Sequence, residues 1–289
     1  MKKKKFNWFD VVNTLFMLAI IFITAYPMYY VVICSFSDPG ALARTTDLLW
    51  LPIKPFTTKA YDMVFSNQLI GSGFRNTLFV LIVGVGIQMV MTSLGAYFLT
   101  IKGPMLKDPI TFMIIFTMYF GGGMVPAYLN LRDLKLLNSL WALILPGAVG
   151  TSNMIILKSA FKALPDSLSE SARLDGASHF QILTRIMLPL SKATLAVLVL
   201  YYGVSHWNSW FGASIYIRDS KLFPLQLVMR NILSASSVGG ADVGADEMAA
   251  YADLVKYALI VVTTVPILAL YPFLQKYFVK GVMIGAVKG

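Results

Sequence analysis

An all-α membrane protein with six transmembrane helices is the fold this sequence predicts, and three observations predict it. Of the 289 residues, 57% are hydrophobic and 13% charged, a balance too apolar for a soluble domain of this length. The mean hydropathy is +0.69. Apolar runs able to cross roughly 30 Å of hydrocarbon, about 20 residues each, recur at 11–34, 77–99, 109–131, 139–158, 194–217 and 257–278, within a single domain spanning 1–289.

The first run follows Lys2 to Lys5 and continues through Tyr29 and Val32 to Cys34 with no small-x-small cleavage site, which predicts an uncleaved helix rather than a removed signal. A lone cysteine excludes an intrachain disulfide and any Cys-cluster metal site, so Cys34 reads as a small apolar filler. The third run contains Gly121-Gly122-Gly123 and Pro126, and the fourth Pro146-Gly147. Such residues either admit close helix packing or break a helix against a water-lined cavity. Between the runs, 35–74 and 218–256 form two long loops, the latter holding the stretch SASSVGGADVGADEMA, which reads as flexible.

Lys and Arg set the orientation, because cytoplasmic loops keep the excess. The two ends and the loops around 100–108 and 158–193 hold 14 basic residues of 24 (Lys2 to Lys5, Lys102, Lys107, Lys158, Lys162, Arg173, Arg185, Lys192, Lys276, Lys280, Lys288), leaving 10 for the other side. Both termini and the segment around Glu170 are therefore expected in the cytoplasm. The net charge of +10 suits anchoring beside anionic membrane lipid, and no nucleic acid is needed to explain it.

The spans lack the groups that ion coupling uses. Their cores carry no Asp, Glu, Lys or Arg, and His206 is the exception among titratable residues, whereas secondary transporters commonly place carboxylates at mid-membrane. No phosphate-cradling G-x-x-x-x-G-K-[ST] loop is present, nor H-E-x-x-H, G-x-S-x-G or a repeated acid pair on one helical face. The reading is a non-catalytic membrane subunit that binds no cofactor and receives its energy from a partner. Its rival is an ion-coupled carrier or membrane enzyme acting alone.

One loop is patterned. After Pro165 and Asp166, Ser167 to Glu170 form a capping-box pattern that starts a short helix near Leu168, which Gly176 ends in a left-handed conformation. Ser178 caps a second helix with Phe180, Leu183 and Met187 at spacings of three and four, and Pro189 stops it. Ser171 and Ala172 are small enough for close backbone approach, and Glu170, Arg173 and Asp175 offer orienting charge. An amphipathic linker on the headgroups is the plainer reading; a docking element is the sharper one.

The order Glu170-Ser171-Ala172, Gly176, nine residues, then Ile186-Met187-Leu188-Pro189 resembles the E-A-A-x-x-x-G-x9-I-x-L-P motif of ABC importer permeases, with Ser171 replacing the usual alanine. "RNTLF" at Arg75, "NSLWALILPG" at Asn138, "HWNSWF" at His206 and the C-terminal "YFVKGVMIGAVKG" are similar to blocks of carbohydrate permeases. They resemble the shorter maltose-importer permease and, more closely, the subgroup importing oligosaccharides from complex or acidic polysaccharides. The resemblance implies the type I importer fold and a multi-pass protein of the bacterial cytoplasmic membrane. It implies that loop 162–190 carries coupling helices, with Glu170, Ser171, Ala172, Asp175, Gly176 and Ala177 meeting an ATPase. It further implies a second homologous permease subunit, two ATPase subunits holding ATP and Mg, and an extracellular sugar-binding protein. Gly281 to Gly289 becomes a second candidate ATPase contact, and the 218–256 loop a candidate probe of the binding protein.

Sugars present hydroxyls and C–H faces, so their path needs aromatic and neutral polar side chains. Trp207, Asn208 and Trp210 are candidates, the two tryptophans being three apart on one expected helical face. An interfacial aromatic belt accounts for them too. Tyr119, Tyr128 and Asn153 are further candidates, and His206 reads as a hydrogen-bonded packing residue before a carrier of uronates.

Overall fold

The computed structural model describes residues 8–45, 47–101, 103, 105–238 and 253–269, and their regular structure is helical throughout. Residues up to Gln68 together with Met229–Val265 form one compact unit, and Leu69–Val228 is the body of a second.

In the first unit α1 (Trp8–Ser35) buries Ile33, Cys34 and Ser35 and leaves nearly all the rest of its apolar surface outward, as a helix solvated by lipid should. The loop after it is ordered. Asp38 caps α2 (Pro39–Arg44) through the Ala41 N–H at 2.8 Å, with Pro39 at the first helical position where its missing N–H costs nothing. Tyr61 of α3 (Lys59–Ser66) meets the Ser35 hydroxyl at 2.7 Å and stacks on Phe36. The last described helix covers 253–269, so the expected span at 257–278 starts earlier and its far end lies outside the described residues, as do most of the 218–256 stretch after Val238 and Gly281 to Gly289.

The spine of the second unit is α4 (Gln68–Thr100), a 33-residue helix that begins well before the expected residue 77. Its buried positions Ile70, Gly73, Thr77, Val80, Gly84, Gln88, Thr92 and Ala96 recur every three or four residues, the period of one helical face. That face is small and polar rather than uniformly apolar, because it satisfies backbone groups of other segments. Asn76 Nδ2 donates to the Lys221 and Phe223 carbonyls, and the Leu225 N–H donates to Thr77 Oγ1 at 2.9 Å. These residues belong to the RNTLF block. Asn138, which opens the NSLWALILPG block, accepts from the Arg218 and Asp219 N–H groups through one Oδ1.

Only α1 and α4 are single helices of spanning length and apolarity among the described residues; three helix pairs reach that standard when taken together. The expected third run is broken into α5 (Lys107–Tyr119) and α6 (Met124–Asp133), bent by 115°. Gly123 takes φ +87° at the break, open to glycine at little cost, and Pro126 falls in the first turn of α6, where no N–H is required of it. No atom comes within 4 Å of a Cβ placed on Gly121 or Gly123. The glycines serve the bend rather than close packing within this chain.

The fourth run divides into α7 (Trp141–Ile144), a 3₁₀ turn at Leu145–Gly147 and α8 (Thr151–Lys162), bent by 47°. After α9 (Asp166–Leu174) and α10 (His179–Ile182), a π turn at Leu183–Met187 leads into α11 (Leu188–Leu190) and, past an 85° bend, α12 (Lys192–Trp207). The fifth run, expected to 217, stops at Trp207. Asn208 Nδ2 donates back to the Val204 carbonyl at 3.0 Å, a local bond that competes with helix continuation. The chain restarts as α13 (Phe211–Tyr216) and α14 (Leu225–Val238). The 218–256 stretch, expected to be a loop, is thus helical over Leu225–Val238, including the start of the stretch read as flexible.

Candidate functional site

The loop 162–190 folds as two short helices joined at Gly176, and its turn is over-determined by hydrogen bonds. The Ala177 N–H donates to the Ala172 carbonyl at 2.9 Å and the Gly176 N–H to the Arg173 carbonyl at 3.0 Å. This pair is the Schellman closure of a helix, with Gly176 at φ +80° in its left-handed position. The capping box of α10 follows at once: the Gln181 N–H donates to Ser178 Oγ, and the Ser178 N–H to Gln181 Oε1 at 2.8 Å.

Three details depart from the sequence expectation. The capping box at Ser167 and Glu170 does not form. Pro165 is the extended N-cap residue of α9, which puts Ser167 inside the first turn and out of reach of a cap. Pro189 does not stop the second helix directly, because the chain first loosens into the π turn, where the Leu188 N–H reaches back to the Leu183 carbonyl. Pro189 has no N–H to donate and its ring opposes an ordinary helical carbonyl four residues back, so wider winding ahead of it relieves the collision. Third, Phe180, Leu183 and Met187 do not share an environment. Leu183 and Met187 are buried with Leu99, Met154, Leu157, Phe161 and Ile182, while Phe180 is 68% exposed.

This core fixes what each loop residue offers. Ala172 and Ala177 pack inward against it, so their small size serves the helix closure within this chain. Glu170, Ser171, Asp175 and Gly176 are exposed. Leu174, at the end of α9, is 90% exposed; with Phe180 it gives the loop an outward apolar pair that spacing alone concealed. The loop is fastened to α4 by Tyr97, whose hydroxyl meets His179 Nδ1 at 2.9 Å, and Arg173 lines the same cavity as this phenol. A cavity of about 70 Å³ lies beneath α9, lined by Tyr97, Asp166, Glu170, Arg173 and Met187 among others.

The sugar-path candidates do not converge in this way. Trp207 and Trp210 share no helical face, since α12 ends at Trp207 and Trp210 leads into α13. Trp207 is 6% exposed and meets Phe74 edge-on, whereas Trp210 packs edge-on with Phe211. Tyr119 lies exposed at the end of α5, Tyr128 stacks with Tyr216, and Asn153 is half-buried in α8. Asn208 is exposed at the end of α12.

His206 is hydrogen-bonded: Nε2 meets Gln88 Oε1 at 2.9 Å, and Gln88 Nε2 donates to the Gly147 carbonyl at 2.8 Å. With the Gln88 amide so oriented, His206 donates from Nε2. Gln88 thereby satisfies a carbonyl at the break in the fourth run, as a buried polar group requires. One turn further along α4, Thr92 Oγ1 meets the Tyr202 hydroxyl at 2.7 Å. Both rings sit where glycine allows it, because a Cβ on Gly84 would stand 2.7 Å from His206 Nε2 and one on Gly150 2.4 Å from the Tyr202 hydroxyl.

Known proteins share this plan. The chain is 40% identical over 282 residues to protein LplC of Bacillus subtilis strain 168, covering 97% of this chain and 95% of the relative. It is 38% identical over 285 residues to the polygalacturonan/rhamnogalacturonan transport system permease protein YtcP of the same organism, covering 97% and 98%. Among solved structures, a bacterial ABC transporter involved in the import of the acidic polysaccharide alginate superposes with a TM-score of 0.87 at 30% identity, over 96% of this chain and 99% of that one. Residues 97–284, which include the whole two-helix loop, match the family model for the inner membrane component of binding-protein-dependent transport systems, and to that family this chain belongs.

Proposed function

We propose that this chain is one of two permease subunits of an ATP-driven importer, and that it moves an acidic, uronate-containing oligosaccharide delivered by an extracellular binding protein. The observation that carries the energetic half is the hinged loop: a rigid two-helix joint, seated on the permease core, presents Glu170, Leu174 and Phe180 outward. A rigid element of this kind transmits displacement, because packed cores shift between discrete arrangements instead of deforming. In this reading the loop faces the cytoplasm, one of two ATPase subunits receives it, and ATP and Mg bind there. The acidic substrate is supported by the named cargo of the relatives, polygalacturonan or rhamnogalacturonan and alginate. Six crossings with both ends inside accommodate α1, α4, the two broken pairs, α12 and the final helix; the path would run past Tyr119, Tyr128, Asn153, His206, Asn208 and Trp210.

The test is uptake into proteoliposomes holding the chain, its partner permease, the ATPase and the binding protein. Labelled oligogalacturonate or oligoalginate should accumulate only with internal ATP, and a neutral oligosaccharide of equal length should not. Accumulation driven by a proton or sodium gradient without ATP would establish the ion-coupled alternative, and preference for the neutral sugar would overturn the acidic assignment.

A further inference from the structure

We propose that the segment Leu48–Phe56 is an interfacial anchor that lies in the headgroup layer of the bilayer alongside α1. Four apolar side chains in nine residues point outward: Leu48, Trp50 (51% exposed), Leu51 (76%) and Phe56, with Lys54 between them near the Phe56 ring. A water-exposed loop does not ordinarily carry so dense an apolar surface. Apolar rings with a nearby lysine suit the boundary between acyl chains and phosphates, where aromatic residues concentrate.

The position along α1 names the occupant. Trp50 stacks on Phe22, centroids 5.8 Å apart, and leans on Tyr26 at 5.0 Å; its carbonyl accepts from the Tyr29 hydroxyl at 2.7 Å. With a rise of 1.5 Å per residue, Tyr29 stands about 32 Å along the axis from Trp8, close to the roughly 30 Å of hydrocarbon that a span must cross. The Trp50 carbonyl therefore sits near the far membrane boundary of α1, while its ring reaches back along the helix to Phe22, about 21 Å from Trp8, and the segment's surface is continuous with the outward apolar surface of that helix.

A second observation favours lipid over water. Leu49 and Trp50 are irregular backbone, and two phenols of α1 serve their carbonyls, Tyr26 to Leu49 at 3.2 Å and Tyr29 to Trp50. In water those carbonyls would be hydrated without help. Against acyl chains an unsatisfied carbonyl costs several kcal/mol, and hydroxyls supplied by the neighbouring helix remove that cost.

Spin labels test this in the assembled transporter in nanodiscs. The labels are placed at Leu51→Cys, at Ile23→Cys on the lipid-facing side of α1 and at Asp62→Cys on exposed α3, each in a Cys34→Ala background. Leu51 is largely exposed, so its substitution leaves packing intact. Oxygen partitions into lipid and a polar nickel chelate into water, and the oxygen-to-nickel collision ratio at Leu51 should fall between those at Asp62 and Ile23. A ratio equal to that at Asp62 overturns the proposal in favour of an aqueous loop, and low collision with both reagents overturns it in favour of a covering protein.

Discussion

Gly176 carries the conformational weight of the loop. Its left-handed φ of +80° costs an L-residue about 1–2 kcal/mol, more for a β-branched one, while nothing lies within 4 Å of an added Cβ. Any effect of substitution therefore enters through the backbone and not through a clash. Gly176→Val should insert and pair with the partner permease yet lose most of its co-purifying ATPase, whereas Gly176→Asn, which tolerates the left-handed region, should retain it. Equal loss in both variants would mean that the turn conformation is not what matters. Trp207, a sugar-path candidate, is a buried residue whose substitution separates packing from transport. Enclosed against Phe74, it should cost about 3–5 kcal/mol when cut to alanine. The melting temperature of the purified complex should fall, and any lost uptake should follow lost protein. Unchanged melting with lost uptake would return Trp207 to the sugar path.

At the scale of elements, the stretch α9 to α11 has an inner face and an outer face that substitution can separate. Met187 lies in the core with Leu99 and Phe161; Met187→Ala should destabilise by about 2–5 kcal/mol and lower the yield of folded permease. Phe180→Ser removes an outward ring and should leave thermal stability nearly unchanged while weakening ATPase retention. The reverse pattern, an unstable Phe180→Ser and an innocuous Met187→Ala, would invert the assignment of faces. The same division shows what spacing misses: Phe180, Leu183 and Met187 obey the helical period, but the buried face is made by Ile182, Leu183 and Met187, and Phe180, in α10 ahead of the π turn, lies outside it.

For the whole molecule, the least ordinary feature is the 115° bend between α5 and α6. A six-crossing topology needs this pair to connect the two sides of the membrane. Cysteines at Asp108 and Asp133, in a Cys34→Ala background, should therefore label with an impermeant maleimide from opposite faces of inside-out and right-side-out vesicles. Labelling of both from one face would make the pair re-entrant and reduce the number of crossings.

Sequence alone determined the membrane class, the rough placement of the apolar runs, the left-handed glycine at 176 and the Ser178 cap, because composition and local hydrogen bonding are properties of neighbouring residues. The same holds for the E-S-A-x-x-x-G spacing that pointed to a transport permease. Only the tertiary structure decided that Ala172 and Ala177 face inward, that Gln88 joins His206 to the Gly147 carbonyl, and that Asn76, Thr77 and Asn138 hold the 218–225 segment by its backbone. These partners lie 59 to 148 residues apart in the chain, and no local pattern encodes them: a buried polar side chain reads as a defect in an apolar run until the backbone group it satisfies has been folded against it.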